Sequence, residues 1–147
     1  MDFNKDHSGH WKGEIVFGKK YGSKEGTKLF FDLELVQYMN QITGVAKDTE
    51  GENVSPDEAS INGTISDGEI SFVKQYVHLH YLQEDGSLHI DETQPGHLIY
   101  YSGRYRQESD SFAGTWRIKG WFKLFGIIPI PYNGGEGTWQ MERKPML

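Results

Sequence analysis

Ile61-Asn62-Gly63-Thr64-Ile65-Ser66-Asp67-Gly68-Glu69-Ile70-Ser71-Phe72 is the stretch on which the fold turns. Ile61, Gly63 and Ile65 alternate with polar residues before Asp67-Gly68, and Ile70 and Phe72 alternate after it. Period-two alternation is the mark of a half-buried strand, and Asp-Gly between two such runs tolerates the positive φ of a two-residue hairpin turn. The stretch therefore predicts an antiparallel hairpin with one apolar face.

Working outward, strand-like runs recur at 9–18, 27–37, 41–48, 60–66, 69–82, 97–106, 112–120 and 136–143. Glu50-Gly51, Asp85-Gly86 and Asn133-Gly134-Gly135 supply further turn signals between them. Successive short hairpins imply an up-and-down meander. Gly13, Gly44, Gly63, Gly103, Gly114 and Gly137 each stand in mid-strand. Interior glycine weakens a strand, and its repetition fits the coiling of a small barrel. The expectation is all-β, an antiparallel up-and-down β-barrel of about eight strands, with 1–147 as a single domain. The one helical signal, Ser55-Pro56-Asp57-Glu58, predicts a single turn. A break is predicted near Tyr76, where the even-numbered apolar run Ile70, Phe72, Tyr76 gives way to the odd-numbered Val77, Leu79, Tyr81.

Composition narrows the chemistry. With no cysteine there is no disulfide framework, thiolate metal site or cysteine nucleophile. A net charge of -6, with no basic stretch denser than Arg104-Tyr105-Arg106, argues against a nucleic-acid partner. Residues Met1 to His7 are charged and do not read as a signal peptide, and no stretch approaches a membrane span. The sequence leads us to expect a soluble, cytoplasmic protein.

Gly9-His10-Trp11, with Ile15 and Phe17 following in alternation, opens the first strand, and Gly137-Thr138-Trp139-Gln140-Met141-Glu142-Arg143 forms the last. The chain resembles the calycin superfamily of lipocalin, avidin and fatty-acid-binding barrels, in which a Gly-x-Trp meets a basic residue near the end of the last strand. The resemblance implies that Trp11 plugs one end of the barrel and that Arg143 lies across its ring, both structural roles. Ile42-Thr43-Gly44, Ile61-Asn62-Gly63 and Ala113-Gly114-Thr115-Trp116 are similar in rhythm to the avidin-like branch, without implying biotin. Haem-binding nitrobindin barrels also open with Gly-x-Trp; here His97 is the one candidate ligand in a late strand, with no matched proximal position. No cofactor is implied.

Alternation places Trp11, Ile15, Phe17, Phe31, Leu33, Leu35, Ile70, Phe72, Lys74, Tyr76, Ile99, Tyr101, Tyr105, Trp116, Ile118, Trp139 and Met141 inside. Eight strands leave room either for packed side chains or for one small ligand. The candidate binding residues are Phe31, Phe72, Lys74, Tyr76, Tyr101, Tyr105, Trp116 and Trp139, a lining suited to a small, largely apolar molecule with one or two polar groups. Equally, these aromatics could fill the barrel. Across an Asp85-Gly86 turn, His80 would pair with Asp91 and Leu82 with His89, placing His78, His80, His89 and Asp91 on one solvent-facing surface that binds no metal.

Between the last two runs, 121–132 holds Phe122, Leu124, Phe125, Ile127, Ile128 and Ile130, with two prolines that exclude a helix and a central strand. It reads as a lid over the barrel mouth, a homodimer contact or a wedge for membrane lipid. The leading functional expectation is non-enzymatic binding of a small, largely apolar molecule. A filled barrel that works through 121–132 is the alternative, and a barrel isomerase or cyclase using Lys74 with a tyrosine as acid or base is another. Asp32 and Glu34 read as surface carboxylates, and no residue is assigned as catalytic.

Overall fold

The computed structural model describes residues 5–51, 54–82, 88–124 and 128–145, with side chains described outside 80–88 and 120–134. Ten strands form: β1 (Gly9–Phe17), β2 (Lys28–Tyr38), β3 (Gln41–Gly51), β4 (Glu58–Ser66), β5 (Glu69–Tyr76), β6 (Leu79–Leu82), β7 (Leu88–Asp91), β8 (Leu98–Arg106), β9 (Ser111–Leu124) and β10 (Ile128–Arg143). Eight of them close a barrel in the order β1-β10-β9-β8-β5-β4-β3-β2, with every neighbouring pair antiparallel. The meander is thus the predicted one, and its architecture is consistent with a calycin-like barrel. No helix among the described residues is long and apolar enough to cross a membrane.

The deciding hairpin forms as read. Ser66 pairs with Glu69, and Asp67 (φ 53) and Gly68 (φ 79) both take the positive φ that the twist of flanking strands favours. Its apolar residues Ile61, Ile65, Ile70 and Phe72 all join the buried core. At all six mid-strand glycines a Cβ would meet a neighbouring atom closer than 3.0 Å. None of the six adopts positive φ. A Cβ on Gly137 would sit 2.7 Å from the Trp116 indole nitrogen, and one on Gly103 would sit 2.8 Å from the Trp139 ring. Glycine there lets an indole from a nearby strand lie against the wall.

Several expectations are corrected. Ser55-Pro56-Asp57-Glu58 is not helical: the Ser55 hydroxyl accepts the Asp57 N–H at 3.0 Å in a side-chain turn, and strand begins at Glu58. The helical content lies instead in two 3-10 segments, Lys19–Lys24 and Gln107–Ser109. Glu50-Gly51 makes no turn, because β3 runs through it and Gly51 pairs with Leu29. Asn133-Gly134-Gly135 is likewise a register shift within β10. Asp85-Gly86 lies outside the described residues.

The predicted break at Tyr76 is present: β5 ends there, and β6 pairs only with β7 as a separate sheet. Its register differs from expectation, however, with Leu79 opposite Asp91, His80 opposite Ile90 and Tyr81 opposite His89. The register is one residue away from the one read across Asp85-Gly86, so His80 does not pair with Asp91, nor Leu82 with His89. His78 is half-buried, not solvent-facing, and its Nδ1 lies 3.0 Å from Asp57 Oδ2, while Val77, expected to be buried, is exposed.

The apolar stretch is also no loop. Trp121 to Leu124 pair with Ile128 to Pro131, so β9 and β10 run on beyond the barrel as a two-stranded arm. Pairing of β10 with β1 stops at Gly137, which leaves Pro129 and Pro131 on a part of the strand flanked on one side only among the described residues. Two residues apart, both prolines direct their missing N–H to the same edge, the one away from β9.

Candidate functional site

The two ends of the barrel differ. At one end, the segment before β1 lies across the opening. Trp11 is fully buried and donates its indole N–H to the His7 carbonyl at 2.9 Å. The Arg143 guanidinium sits 4.6 Å from the Trp11 ring centre, as the resemblance implied. Arg143 also donates to the Ser8 carbonyl and to Asp110, both at 2.9 Å. Tyr105, expected among the binding residues, belongs here: its hydroxyl donates to Asp110 at 2.6 Å and accepts from Lys5 at 2.9 Å. The arrangement closes the end with satisfied ion pairs, and Tyr105 is separated from the remaining candidates by the core.

His7 is the exception within this plug. Its ring packs on Tyr105 (4.6 Å), Phe112 (5.1 Å) and Trp11 (6.4 Å), and Nδ1 has no hydrogen-bond partner among the described residues. Burial, then the charges of Lys5 and Arg143, hold its pKa below the ordinary 6.5, with Asp110 and Asp6 opposing. A base whose folded pKa is depressed binds fewer protons folded than unfolded, so its contribution is intact above about pH 6.5 and is lost as pH falls through the folded value. The thermal midpoint is expected to drop from about pH 7.5 to about pH 5, and to drop less in His7→Phe, which keeps the ring contacts. His97, also lowered by burial, supplies a residual slope in both proteins. Equal slopes in the two would remove this role from His7.

Between the ends the interior is aromatic. Phe72 stacks on Tyr101 at 4.7 Å, and Trp139 meets both edge-on at 5.5 and 5.6 Å. The Trp139 N–H is shared between the Ser102 and Thr115 carbonyls, and the Trp116 N–H goes to the Thr138 carbonyl. Both indoles are thus satisfied by the wall itself. They make a floor, and need no ligand to complete them.

Toward the opposite end, Phe17, Tyr21, Tyr76, Ile99 and Ile118 are only partly buried. Tyr21, from the 3-10 segment after β1, stacks on Phe17 at 4.4 Å. Just beneath this apolar rim lies a polar cluster. The side chain of Lys74, inward on β5, is 3% exposed, and its Nζ stands 5.4, 4.9 and 5.9 Å from the ring centres of Phe31, Tyr76 and Tyr101. Its carboxylate partner, Asp48, is 2% exposed and 3.9 Å away. That separation is an ion pair but too long for a hydrogen bond. The Asp48 oxygens are occupied by the Tyr76 hydroxyl, at 2.8 and 3.0 Å, and the Ser55 N–H at 3.2 Å.

The consequence is an imbalance. Lys74 carries three donors, and among the described residues no acceptor lies within hydrogen-bonding distance of Nζ. Burial lowers the pKa of its amine, with Asp48 opposing. Burial, reinforced by Asp48, raises the pKa of both Tyr76 and Tyr101, so these phenols keep their protons and act as donors. The cluster combines a buried ammonium, two phenols and aromatic faces.

Of the eight expected binding residues, Phe31, Lys74, Tyr76 and Tyr101 gather here, Phe72, Trp116 and Trp139 form the floor, and Tyr105 lies at the closed end. Asp48 was not anticipated. It pairs with Phe31 across the β2–β3 ladder, where Thr49 is the extra residue of a bulge. The alternation Ile42, Gly44, Ala46, Asp48 carries the signal for it, hidden by the charged neighbours Lys47 and Glu50. Concave surfaces of about 660, 470 and 420 Å³ lie on the outside of the wall. The surface of about 660 Å³ is lined by Lys12, Glu14, Phe30, Asp32, Gln140 and Glu142 among others, and Lys12 there pairs with Glu142 at 3.5 Å. No family model, curated protein or solved structure matches the chain.

Proposed function

We propose that the protein binds one small, largely apolar and uncharged molecule at the end of its barrel rimmed by Phe17, Tyr21, Tyr76, Ile99 and Ile118, without turning it over. The observation that carries this reading is the buried Lys74 ammonium beneath an apolar rim, short of acceptors among the described residues. Leaving such donors unmade is costly, on the order of 1–3 kcal/mol each, so a ligand acceptor there gains the difference. Lys74 and Asp48 already balance one another, and a carboxylate ligand would add an uncompensated charge to a buried site. A neutral acceptor, such as a carbonyl, fits the charge; Phe31 and Tyr101 fit its apolar part. The resemblance to calycin barrels, many of which hold apolar ligands, adds support.

Octanamide, which has a neutral carbonyl on an apolar chain, is the test ligand. It should bind one per chain in calorimetric titration, and Lys74→Met should weaken it about tenfold, the worth of one hydrogen bond to a charged donor. Heat absent with the unaltered protein, or unchanged by the substitution, would overturn the reading.

The arm at 121–132 favours a second reading, a homodimer contact, because its strands continue past the barrel with partners on one side only among the described residues. Sedimentation at twice the chain mass, lost on Ile128→Asp with Ile130→Asp, would establish it; a monomer throughout would exclude it.

A further inference from the structure

We infer that Lys74 forms a reversible imine with a small aldehyde entering past Tyr76 and Ile99 at the partly buried end of the barrel. This rests on the reading of that end as a ligand site and goes further, by naming a covalent chemistry for it. The geometry has three parts. The amine is enclosed by Phe31, Tyr76 and Tyr101, which exclude water and so favour loss of water from a condensation. No hydrogen bond among the described residues ties its lone pair or its protons. Asp48, held in place by Tyr76 and the Ser55 N–H, stands 3.9 Å away, so that a rotation of the Lys74 side chain that shortens this separation lets it take a proton and return it. A desolvated lysine of lowered pKa is the form in which the amine is a nucleophile.

The step balances without an oxidant or reductant. Lys74 gives one proton to Asp48, and the freed lone pair forms a bond to the aldehyde carbon while the carbonyl electron pair moves onto oxygen. That oxygen takes the proton lost by the attacking nitrogen, giving a carbinolamine. Its C–O bond then breaks, the hydroxyl leaving as water with the proton returned from Asp48, and the C=N bond forms. The protonated imine carries the single positive charge that the ammonium carried, so Asp48 remains its counterion. An exposed lysine has no such enclosure, and water around it opposes the loss of water that forms the imine.

The experiment uses the unaltered protein, octanal as the aldehyde, and cyanoborohydride to reduce any imine to a stable secondary amine, followed by peptide mass mapping. Lys74 should acquire one octyl group about tenfold faster than the average exposed lysine at neutral pH. Octanamide, which binds but cannot condense, should slow the labelling. If octanamide binds but octyl groups appear only on exposed lysines, the imine inference falls and the binding reading stands. If octanamide does not bind and Lys74 is not labelled, both fall.

Discussion

Trp11→Ala is expected to lower the unfolding free energy by about 3–5 kcal/mol, the range for a large aromatic removed from a core. The magnitude follows from what the ring does at once. It fills the closed end at zero exposure, packs on Phe112 at 5.3 Å, supports the Arg143 guanidinium on its face and fixes His7 through its N–H. Its loss leaves a cavity and an acceptor without its donor in the same place, and the segment that carries Lys5, His7 and Ser8 loses its anchor. Urea unfolding followed by far-ultraviolet circular dichroism measures it. A loss under about 1 kcal/mol would mean that the end recloses without the ring and that the plug is not a keystone of the fold.

The second large effect belongs to the buried pair. Asp48→Asn retains the shape and an acceptor for Tyr76 but leaves the Lys74 ammonium without its carboxylate. Removing one member of a buried ion pair costs about 3–5 kcal/mol, and that is the expected loss near neutral pH. The loss should also depend on pH. Lys74 has a folded pKa below its ordinary 10.5, so between those values the unfolded chain binds more protons and stability rises with pH. Without Asp48, which opposes the lowering, the window opens at lower pH and the deficit shrinks as pH climbs. The comparison is confined to below about pH 9.5, because the tyrosines of the unfolded chain ionise near pH 10. A deficit that stays constant from pH 7 upward would place the cost in lost packing and not in an unpaired charge.

Much of this architecture is legible in the residues because a barrel wall enforces strict alternation. Once Ile61, Ile65, Ile70 and Phe72 fix the inward face of two strands, the inward positions of the others follow. That is how Lys74 is found facing inward from sequence alone. Legibility fails where a single residue changes the count. β6 and β7 pair one residue away from the register read, so His80 meets Ile90 and not Asp91. The bulge at Thr49 allows β3 to continue through Glu50-Gly51, which reads as a turn, while Asp48, inward by unbroken alternation from Ile42, is hidden by charged neighbours that look like surface. Proline rules exclude a central strand over 129–131 correctly, yet cannot distinguish a loop from a strand with a free edge. The close approach at Gly103 and Gly137 also lies beyond sequence, since it depends on the register that sets Trp139 and Trp116 from nearby strands against them.

Native mass spectrometry of the protein, purified without denaturation from its own host, tests the binding claim most directly. The account predicts one small molecule retained per chain in the unaltered protein and absent from Lys74→Met prepared in the same way. A bare chain mass in both, or the same adduct on both, would contradict it.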